Sequence, residues 1–434
     1  SAALNGSADK RKTFKMVHEY PLDGRPPMMT HIFEDPGGER VIACKGAAEA
    51  IINCSGLDSD KKKVAARAAE DLASRGFRVL GVGEIIFPGN NFPEKQQMFK
   101  VDFKGLVAFY DPPKENIASV FEHFYKAGIN VKIVTGDNAA TTQNIAKQVG
   151  FAGTDKALTG DELVAMDEKK LLNSVGDVNI FTRMFPEAKL RIINALKLNG
   201  DIVAMTGDGV NDGPALKAAH IGIAMGKKGS EIAKQASSLI IVDDDLGKMV
   251  DAVAMGRKIY TNLKKAIQYI ISIHIPIILT VFFPLVLGWK YPNIFTPVHI
   301  IFLELIMGPT CSIIYENEPM EKNTMLQKPR PFTNTFFSAK ELSGSIVQGL
   351  MITLGTLAAY QYSIYQGWDE PVTRTMVFIA LISANIFLTL VNRSFYYSVI
   401  TTLFYKNNLV PLIIGATILI TALTLMIPPL TGFF

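Results

Sequence analysis

The sequence is poor in cysteine and, beyond residue 250, poor in charge. Its three cysteines among 434 residues, Cys44, Cys54 and Cys311, have the spacing neither of a metal site nor of a disulfide framework. This usage fits a reducing, cytosolic compartment. The sequence has no secretory signal at its start and does not begin with Met. We therefore expect a piece of a longer or processed protein.

The composition excludes several classes of protein. With 48% hydrophobic and 19% charged residues, the chain is not disordered, collagen-like or a coiled coil. Residues 1–250 hold 32 basic and 32 acidic residues, whereas residues 251–434 hold 12 and 8, so the net charge of +4 lies in the apolar part. That charge is too small and too dispersed for a nucleic-acid-binding surface. We expect no nucleic-acid partner.

Long uncharged runs predict five membrane spans. The first run, between Lys265 and Lys290, has 24 residues, and about 20 suffice to cross a bilayer. A fifth apolar segment, residues 296–315, carries a single charge at Glu304. The other runs lie between Glu341 and Asp369, between Arg374 and Arg393, and from Lys406 to the end.

The flanking charges predict the orientation of these spans in a lipid membrane. If the residues before the first span are cytoplasmic, the cytoplasmic flanks hold ten lysines and arginines, and the opposite side holds only Lys290 and Arg374. Because basic flanks stay in the cytoplasm, residues 1–250 are expected there. The lysine-rich flanks fit a bacterial plasma membrane or an endomembrane, and the lack of recognisable regulatory tails favours the bacterial membrane.

Glu304 is the most informative membrane residue. A carboxylate at mid-bilayer is costly and is retained where it faces a bundle interior, a cation or a proton path. It is either a cation ligand or a structural group bound to a neighbouring helix, and we favour the ligand. Pro276 beside His274, and Gly308-Pro309, interrupt the first two spans, as a structural kink or as a break that frees carbonyls for cations.

Residues 101–250 alternate strand and helix patterns, which predicts a parallel, doubly wound α/β sheet. The first predicted strand is Phe103–Asp111. Acid-rich turns, Thr135–Asn138 and Thr206–Asp212, follow two later strands. Since ligands bind beyond the carboxyl ends of such strands, both turns are expected in one site.

The chemistry of the turns points to phosphate and magnesium. In T-G-D-G-V-N-D, glycines allow backbone amides to approach a phosphate, and Asp208 and Asp212 are placed as oxygen ligands for Mg²⁺. Thr135 in T-G-D-N offers a hydroxyl and an amide to phosphate oxygens. Lys189, which precedes Asp208 by 19 residues, could neutralise a transferring phosphoryl group. A lone Gly-Asp-Gly is usually an ordinary turn, but this combination is far more specific.

These residues resemble the phosphorylation domain of P-type cation-transporting ATPases, which has the haloacid-dehalogenase fold. The resemblance is closest to the calcium-pump and sodium/potassium-pump branch and covers nearly the whole chain. At Gly213 the family usually has Ala. The matching segments are D-P-P-K-E-N (Asp111–Asn116), T-G-D-N (Thr135–Asn138), P-E-A-K (Pro186–Lys189), M-T-G-D-G-V-N-D-G-P-A-L-K-A-A (Met205–Ala219) and the stalk Gly256–Ser272.

The resemblance implies three domains and a set of roles. Residues 1–100 would be the later part of an α+β nucleotide-binding domain, residues 101–250 the phosphorylation domain, and residues 251–434 the stalk and an all-α transmembrane bundle. The reaction would be ATP hydrolysis through an aspartyl phosphate, coupled to cation transport. In the phosphorylation domain, Asp208 would hold Mg²⁺ with Asp212 and Asn211 in support, and phosphate would bind Thr135, Gly136, Asp137 and Lys189.

The same resemblance implies an ATP pocket in residues 1–100. K-G-A-A-E (Lys45–Glu49) matches a family segment in which Lys45 would line the pocket and Gly46 would let the backbone approach the nucleotide. Tyr20 would stack on adenine and Arg78 would contact phosphate. The alternatives are a core tyrosine and a solvated arginine.

Several family elements are missing from the 434 residues. There is no Asp-Lys-Thr-Gly-Thr nucleophile loop, no Thr-Gly-Glu-Ser actuator loop and no Pro-Glu-Gly-Leu helix, and we count five of the six membrane helices expected after the phosphorylation domain. We expect both ends to be truncated, so that this stretch alone does not form the phosphoenzyme. A membrane-tethered phosphatase and an inactive fragment or binding module are the alternatives from other classes; a lipid flippase fits Glu304 less well.

The transported cation is the open question. Aligned by motif, apolar residues or glycine (Ile277, Met307, Gly308 and Ile382) stand where calcium pumps carry oxygen ligands, which leaves His274, Glu304 and nearby Asn385 as polar candidates. Calcium is our first choice because the branch resemblance is broad. A single cation at Glu304, protons or a monovalent cation is the alternative.

Overall fold

The computed structural model describes residues 13–24, 26–89, 91–110, 112–331 and 335–427, without the side chain of Cys311. The chain forms two compact units. One unit holds the residues up to Gly247 except 126–128, and the other holds those three residues and everything from Lys248 onward.

The first part of the chain forms a five-stranded antiparallel sheet in the order β1-β2-β3-β4-β5. Alternating residues of β2 and β3, such as Met28, Ile32, Ile42 and Cys44, point into one core beneath α1. The elements are β1 Lys15–Asp23, β2 Met28–Glu34, β3 Arg40–Ala47, α1 Ala48–Cys54, α2 Ser59–Ser74, β4 Arg78–Ile85 and β5 Asp102–Phe109.

Strand β5 corrects one expectation from the sequence. The segment from Phe103 was predicted to be the first strand of the parallel sheet, but β5 pairs antiparallel with β4, from Arg78 opposite Phe109 to Glu84 opposite Asp102. An apolar run has no direction of its own, so its partner cannot be seen in the sequence. The predicted domain boundary after residue 100 therefore lies before β5, which still belongs to the antiparallel sheet.

The following residues form two three-stranded parallel sheets, ordered β6-β8-β7 and β11-β10-β9. Phe181 of β8 and Met205 of β9 lie in the same apolar cluster, on which Val134 of β6 packs. The elements are α3 Ile117–Lys126, β6 Ile133–Val134, α4 Ala139–Gln148, β7 Ala157–Thr159, α5 Gly160–Ala165, α6 Glu168–Asp177, β8 Ile180–Thr182, α7 Pro186–Leu198, β9 Ala204–Gly207, α8 Gly213–Ala218, β10 Ile221–Met225, α9 Glu231–Ala236 and β11 Leu239–Ile241. The α/β fold with parallel strands is confirmed.

Local sequence signals place the helices around these strands. The side chain of Asn138 accepts a hydrogen bond from the Thr141 amide and so caps α4. Proline at the first position opens α7, and Gly200, with φ of 86°, follows its end. The cap at Asn138 and the proline at position 186 therefore fix where α4 and α7 begin.

The second unit consists of helices. Among the described residues, five helical segments are long and apolar enough to cross a membrane, which confirms the predicted number. The elements are α10 Gly247–Val286, α11 Pro297–Pro309, which continues as a π-helical turn Thr310–Tyr315, α12 Ala339–Tyr365, α13 Glu370–Val391, the short α14 Val399–Leu403 and α15 Leu409–Met426.

The two expected helix interruptions differ. Helix α10 continues through Pro276 and Pro284, so Pro276 does not break it. A proline removes the hydrogen bond to the carbonyl four residues earlier, here that of Ser272. A Cβ atom on Gly349 of α12 would lie 2.8 Å from this oxygen, so α12 covers it. At Pro309 the helix does change, into the π-helical turn.

Candidate functional site

The Thr135–Asn138 loop follows β6 at the carboxyl edge of its sheet. The Thr135 amide donates to the Phe181 carbonyl, and the Met184 amide donates back to the Thr135 carbonyl, both at 2.9 Å. The Thr135 hydroxyl accepts from the Asp137 amide at 3.1 Å. Gly136 is exposed at the tip. The loop is thus held by the segment that leads into α7, with its tip free to meet a ligand.

Helix α7 links this loop to the one after β9. Lys189 Nζ, in the first turn of α7, lies 2.6 Å from Asp212 Oδ1, and both side chains are nearly buried. Asp212 Oδ2 accepts from the amides of Asp208 and Gly209 at 3.3 and 3.2 Å. The sequence predicted Asp212 as a metal ligand; in the structure one of its oxygens pairs with Lys189 and the other accepts from amides of its own loop.

Asp208 and Asn211 are two polar residues of this loop that face outward. Both are exposed, whereas Asp212 is buried. An exposed carboxylate on a glycine-rich loop suits a hard cation together with phosphate oxygens. No group of three or more His, Cys, Asp or Glu side chains able to hold a metal lies within the described residues. A Mg²⁺ ion here would therefore also need oxygens from phosphate and water.

Gly207 is predicted to be essential for this loop. A Cβ atom there would lie 2.7 Å from Asp212 Cβ, whereas one on Gly209 would meet nothing closer than 3.6 Å. We expect Gly207→Ala to lower the free energy of unfolding by about 1–3 kcal/mol through overpacking. Gly209→Ala is the matched control and should stay close to the parent in denaturant titrations. Equal losses in the two variants would contradict this reading.

Three predicted nucleotide-binding residues, Arg78, Lys45 and Gly46, lie on the antiparallel sheet. Arg78 Nε, at the start of β4, is 3.6 Å from Asp137 Oδ1, so two predicted phosphate-binding residues meet. Lys45 is exposed on β3. Gly46 is buried, and a Cβ atom there would lie 2.6 Å from the Pro27 carbonyl oxygen. The lack of a side chain at Gly46 is thus explained by packing against β2.

Tyr20 corrects the predicted adenine contact. It is 9% exposed, packs edge-on against Phe99 and donates its hydroxyl to the Pro93 carbonyl. Burial raises its pKa above the ordinary value. Tyr20 is therefore a core residue of the antiparallel sheet, because the inward face of β1 carries it, and it offers no open ring face for stacking.

Arg183 is a candidate site residue that the sequence did not predict. It follows β8 with φ of 52°, unusual for a residue other than glycine, and its amide donates to the Asp137 carbonyl at 2.9 Å. Its guanidinium pairs with Glu49, the acid of the K-G-A-A-E segment. A basic residue directly after a parallel strand was the signal that could have identified it.

In the membrane unit, His274 and Glu304 come together. His274 Nε2 lies 3.6 Å from Glu304 Oε1, between α10 and α11, and the two side chains are 42% and 57% exposed. His274 Nδ1 lies 2.8 Å from the Ile270 carbonyl oxygen. Because a carbonyl oxygen only accepts hydrogen bonds, Nδ1 is the donor in this contact, and Nε2 is the ring nitrogen on the side of Glu304.

Asn385, the third predicted ion-binding residue, has a different partner. Its Oδ1 accepts from the Tyr269 hydroxyl at 2.6 Å, and the residue is buried. Met307 and Ile382 lie in the surrounding apolar cluster, on which Ile277 packs. The interior between α10, α11 and α13 is thus mainly apolar, and the described contacts do not join Asn385 to the His274–Glu304 pair.

Comparisons with known proteins agree across the chain. Residues 3–116 match the family described as P-type ATPase, cytoplasmic domain N; residues 87–220 match haloacid dehalogenase-like hydrolase; residues 292–434 match cation transporting ATPase, C-terminus. Along the chain, the three matches have the same order as the antiparallel sheet, the parallel sheets and the membrane helices. The chain belongs to the P-type cation-transporting ATPases. It is accordingly part of an integral membrane protein of that family.

Relatives in this family are about 30% identical. The chain is similar to calcium-transporting ATPase 1 of Saccharomyces cerevisiae, with 30% identity over 98% of this chain and 46% of the relative. Calcium-transporting ATPases of Bacillus subtilis and Listeria monocytogenes are 31% and 33% identical over 89% and 86% of this chain and 45% and 43% of the relatives. The chain spans about half the length of these relatives.

Asp111, of the D-P-P-K-E-N segment, lies outside the described residues.

Proposed function

We propose that the complete protein is an ATP-driven cation pump that works through an aspartyl phosphate, with calcium as its first candidate ion. The observation that carries the proposal is the Lys189–Asp212 pair, which holds the amides of Asp208 and Gly209 at the carboxyl end of β9. Such a framework suits phosphoryl transfer, where catalysis consists mainly of positioning and charge stabilisation.

Each residue of the site has a specific task in this proposal. Mg²⁺, when bound at Asp208, supplies positive charge to the phosphoryl group. Asp212 keeps the loop closed, Asn211 supports it, and Lys189 balances negative charge on the phosphoryl oxygens. Thr135 and Gly136 bind phosphate oxygens through a hydroxyl and an amide. Asp137 orients Arg78, whose side chain is 69% exposed and would contact an ATP phosphate.

The nucleophile is proposed to come from outside residues 1–434, because no Asp-Lys-Thr-Gly-Thr segment occurs within them. Two edges of the described sheets support this view. Strand β6 pairs only with β8, and β9 pairs only with β10, yet both carry a site loop and pack on one core. A further parallel strand along either edge would satisfy exposed backbone groups and bring its last residue to Thr135 and Asp208.

The domain roles follow from this assignment. We assign nucleotide binding to residues 1–100 together with β5, phosphoryl transfer to the remaining residues up to 250, and transport to residues 251–434. Lys45 is the candidate ATP contact on β3. Residues 1–250 would lie in the cytoplasm, and the membrane would be a bacterial plasma membrane.

The choice of ion rests on opposing observations. The names of the relatives favour calcium. The His274–Glu304 pair offers one nitrogen and one carboxylate, fewer oxygens than the six to eight that calcium takes. This poor oxygen supply favours a single cation, completed by ligands from outside residues 1–434, and makes a proton or a monovalent cation the second candidate.

The test is ATP-dependent uptake by inverted vesicles that contain the complete protein. We expect calcium uptake that requires Mg²⁺ and is absent in the Asp208→Asn variant. Uptake of protons or potassium without calcium would show that calcium is the wrong ion and would leave the proposal of a cation pump intact. ATP hydrolysis that responds to none of these cations, with no uptake, would refute the proposal.

Gly308 offers a gain-of-function test of the ion site. It lies one turn after Glu304 on α11, and a Cβ atom there would meet nothing within 4 Å outside the helix backbone. Gly308→Asp should add a carboxylate beside Glu304 and lower the calcium concentration for half-maximal uptake by roughly tenfold. Gly308→Asn, of similar size without the charge, is the control. Higher calcium requirements in the Asp variant would contradict the assignment.

A further inference from the structure

A buried ion pair joins α10 to the connection between α11 and α12. Lys265 Nζ lies 2.7 Å from Glu321 Oε1, and the two side chains are 1% and 2% exposed. The connection, residues 316–323, follows the π-helical turn at the end of α11. Neither residue belongs to the phosphate site or to the His274–Glu304 pair, so the proposed mechanism leaves this pair without a role.

Stability does not explain the pair. Burying two charges costs more than their attraction returns unless their other hydrogen bonds are satisfied. The contact lacks hydrogen-bond geometry, and Glu321 Oε2 has no hydrogen-bond partner among the described residues. A pair of apolar side chains would be at least as stable here, and the best attested use of a retained buried charge is to fix register.

A second buried pair in the same connection shows the contrast. Glu318 accepts from Arg393 Nε at 2.7 Å and from Asn407 Nδ2 at 3.1 Å, so its carboxylate is well satisfied. This pair fastens the connection to the end of α13. On the side of α10, Asn262 donates to the Glu318 carbonyl at 2.9 Å. Because Asn262 and Lys265 are three residues apart, they present one face of α10 to the connection.

The pair has a fixed relation to the cation-binding residues. His274 lies nine residues beyond Lys265 on the same helix, about 14 Å along its axis. Glu304 lies on α11, whose chain runs on into the connection that carries Glu321. A shift of α10 by one residue would move the Lys265 ammonium about 1.5 Å along the axis and about 100° around it, away from Glu321.

We propose that the Lys265–Glu321 pair sets the register of α10 against α11 and so places His274 opposite Glu304. Lys265 and Glu321 are then positioning residues for cation binding, an inference that rests on the proposed function for its consequence in transport. In this role the two residues act through the attraction between their opposite charges, which is strongest in one register of α10, and not through the number of packing contacts that they make. An apolar pair at these positions would keep the fold and lose the register.

The register can be measured without activity. In the complete protein in nanodiscs, Cys44, Cys54, Cys311 and any cysteine outside residues 1–434 are replaced by Ser. Cysteines introduced as His274→Cys and Glu304→Cys would then be joined by a short bismaleimide. We expect Lys265→Met with Glu321→Met to lower the cross-linking yield about fivefold while the thermal midpoint is kept or raised. Exchanging the charges, Lys265→Glu with Glu321→Lys, should restore most of the yield.

The matched control removes an exposed pair from the same helix. Lys248 lies 3.3 Å from Asp251, and Lys248→Met should leave the yield within about twofold of the parent. With His274 and Glu304 intact, the apolar double variant should need about tenfold more cation for half-maximal ATP hydrolysis at an unchanged KM for ATP.

The outcomes separate the two claims. An unchanged cross-linking yield in the folded double variant would overturn the positioning role. A reduced yield in a protein whose parent hydrolyses ATP without any cation dependence would support the register and refute the proposed function. A reduced yield together with a raised cation requirement supports both.

Discussion

Lys189→Met is expected to abolish nearly all phosphoryl transfer by the complete protein. The lysine faces Asp212 at 2.6 Å in a largely buried position, so its removal leaves a carboxylate without its counter-charge. Breaking such a pair costs about 3–5 kcal/mol when one partner stays charged and buried. It also removes positive charge from the phosphoryl group, which should lower the rate of phosphoenzyme formation by roughly 10²–10³-fold.

The control for this variant lies on the same helix. Lys197 Nζ donates to the Ala218 carbonyl at 2.8 Å on the exposed side of α7. Lys197→Met should therefore leave the phosphorylation rate unchanged. Lys189→Met combined with Asp212→Asn should recover stability but not activity, because the buried charge is gone while the phosphoryl group still lacks its cation. Full activity of Lys189→Met would exclude a role at the phosphate.

Glu304→Gln is expected to remove cation stimulation of ATP hydrolysis. Glu304 is the only acidic side chain in contact with His274 among the contacts described, and the neighbouring interior is apolar. Loss of a charged ligand should raise the cation concentration for half-maximal stimulation by at least about tenfold. The measurement is ATP hydrolysis against cation concentration in reconstituted vesicles.

An acidic residue on a membrane helix but outside the cation site provides the comparison. Glu370, in the first turn of α13, pairs with Arg374 at 2.6 Å across one helical turn. Glu370→Gln should shift the cation dependence by less than about twofold, because this partly exposed pair does not contact His274 or Glu304. A similar shift in both variants would indicate a general electrostatic effect and not a cation ligand.

The positions of the candidate phosphate-binding residues could be predicted because the sequence signals for them are local. Thr135, Asp208 and Lys189 each follow a strand or open a helix, and those patterns can be read from short segments. The role of Asp212 could not be predicted, because it depends on contacts with Lys189 of α7 and with backbone amides of its own loop. Arg183 was missed for the same reason: its contact with Glu49 joins residues 134 positions apart.

The errors in the antiparallel sheet have a common cause. Strand β5 was assigned from an apolar run, which does not specify its neighbour, and Tyr20 was assigned from a family resemblance, which does not specify the face of the strand that carries it. In the membrane, hydropathy gave the number of spans, but not that α10 continues through Pro276 or that His274 meets Glu304. Helix packing decides these features, and only the structure contains it.

The most direct test of the central claim is phosphorylation of the complete protein by radiolabelled ATP. We predict an acid-stable, hydroxylamine-sensitive phosphoenzyme that forms with Mg²⁺ and the transported cation, is lost in Asp208→Asn, and becomes cation-independent or vanishes in Glu304→Gln. ATP hydrolysis by the complete protein without any such intermediate would contradict the account.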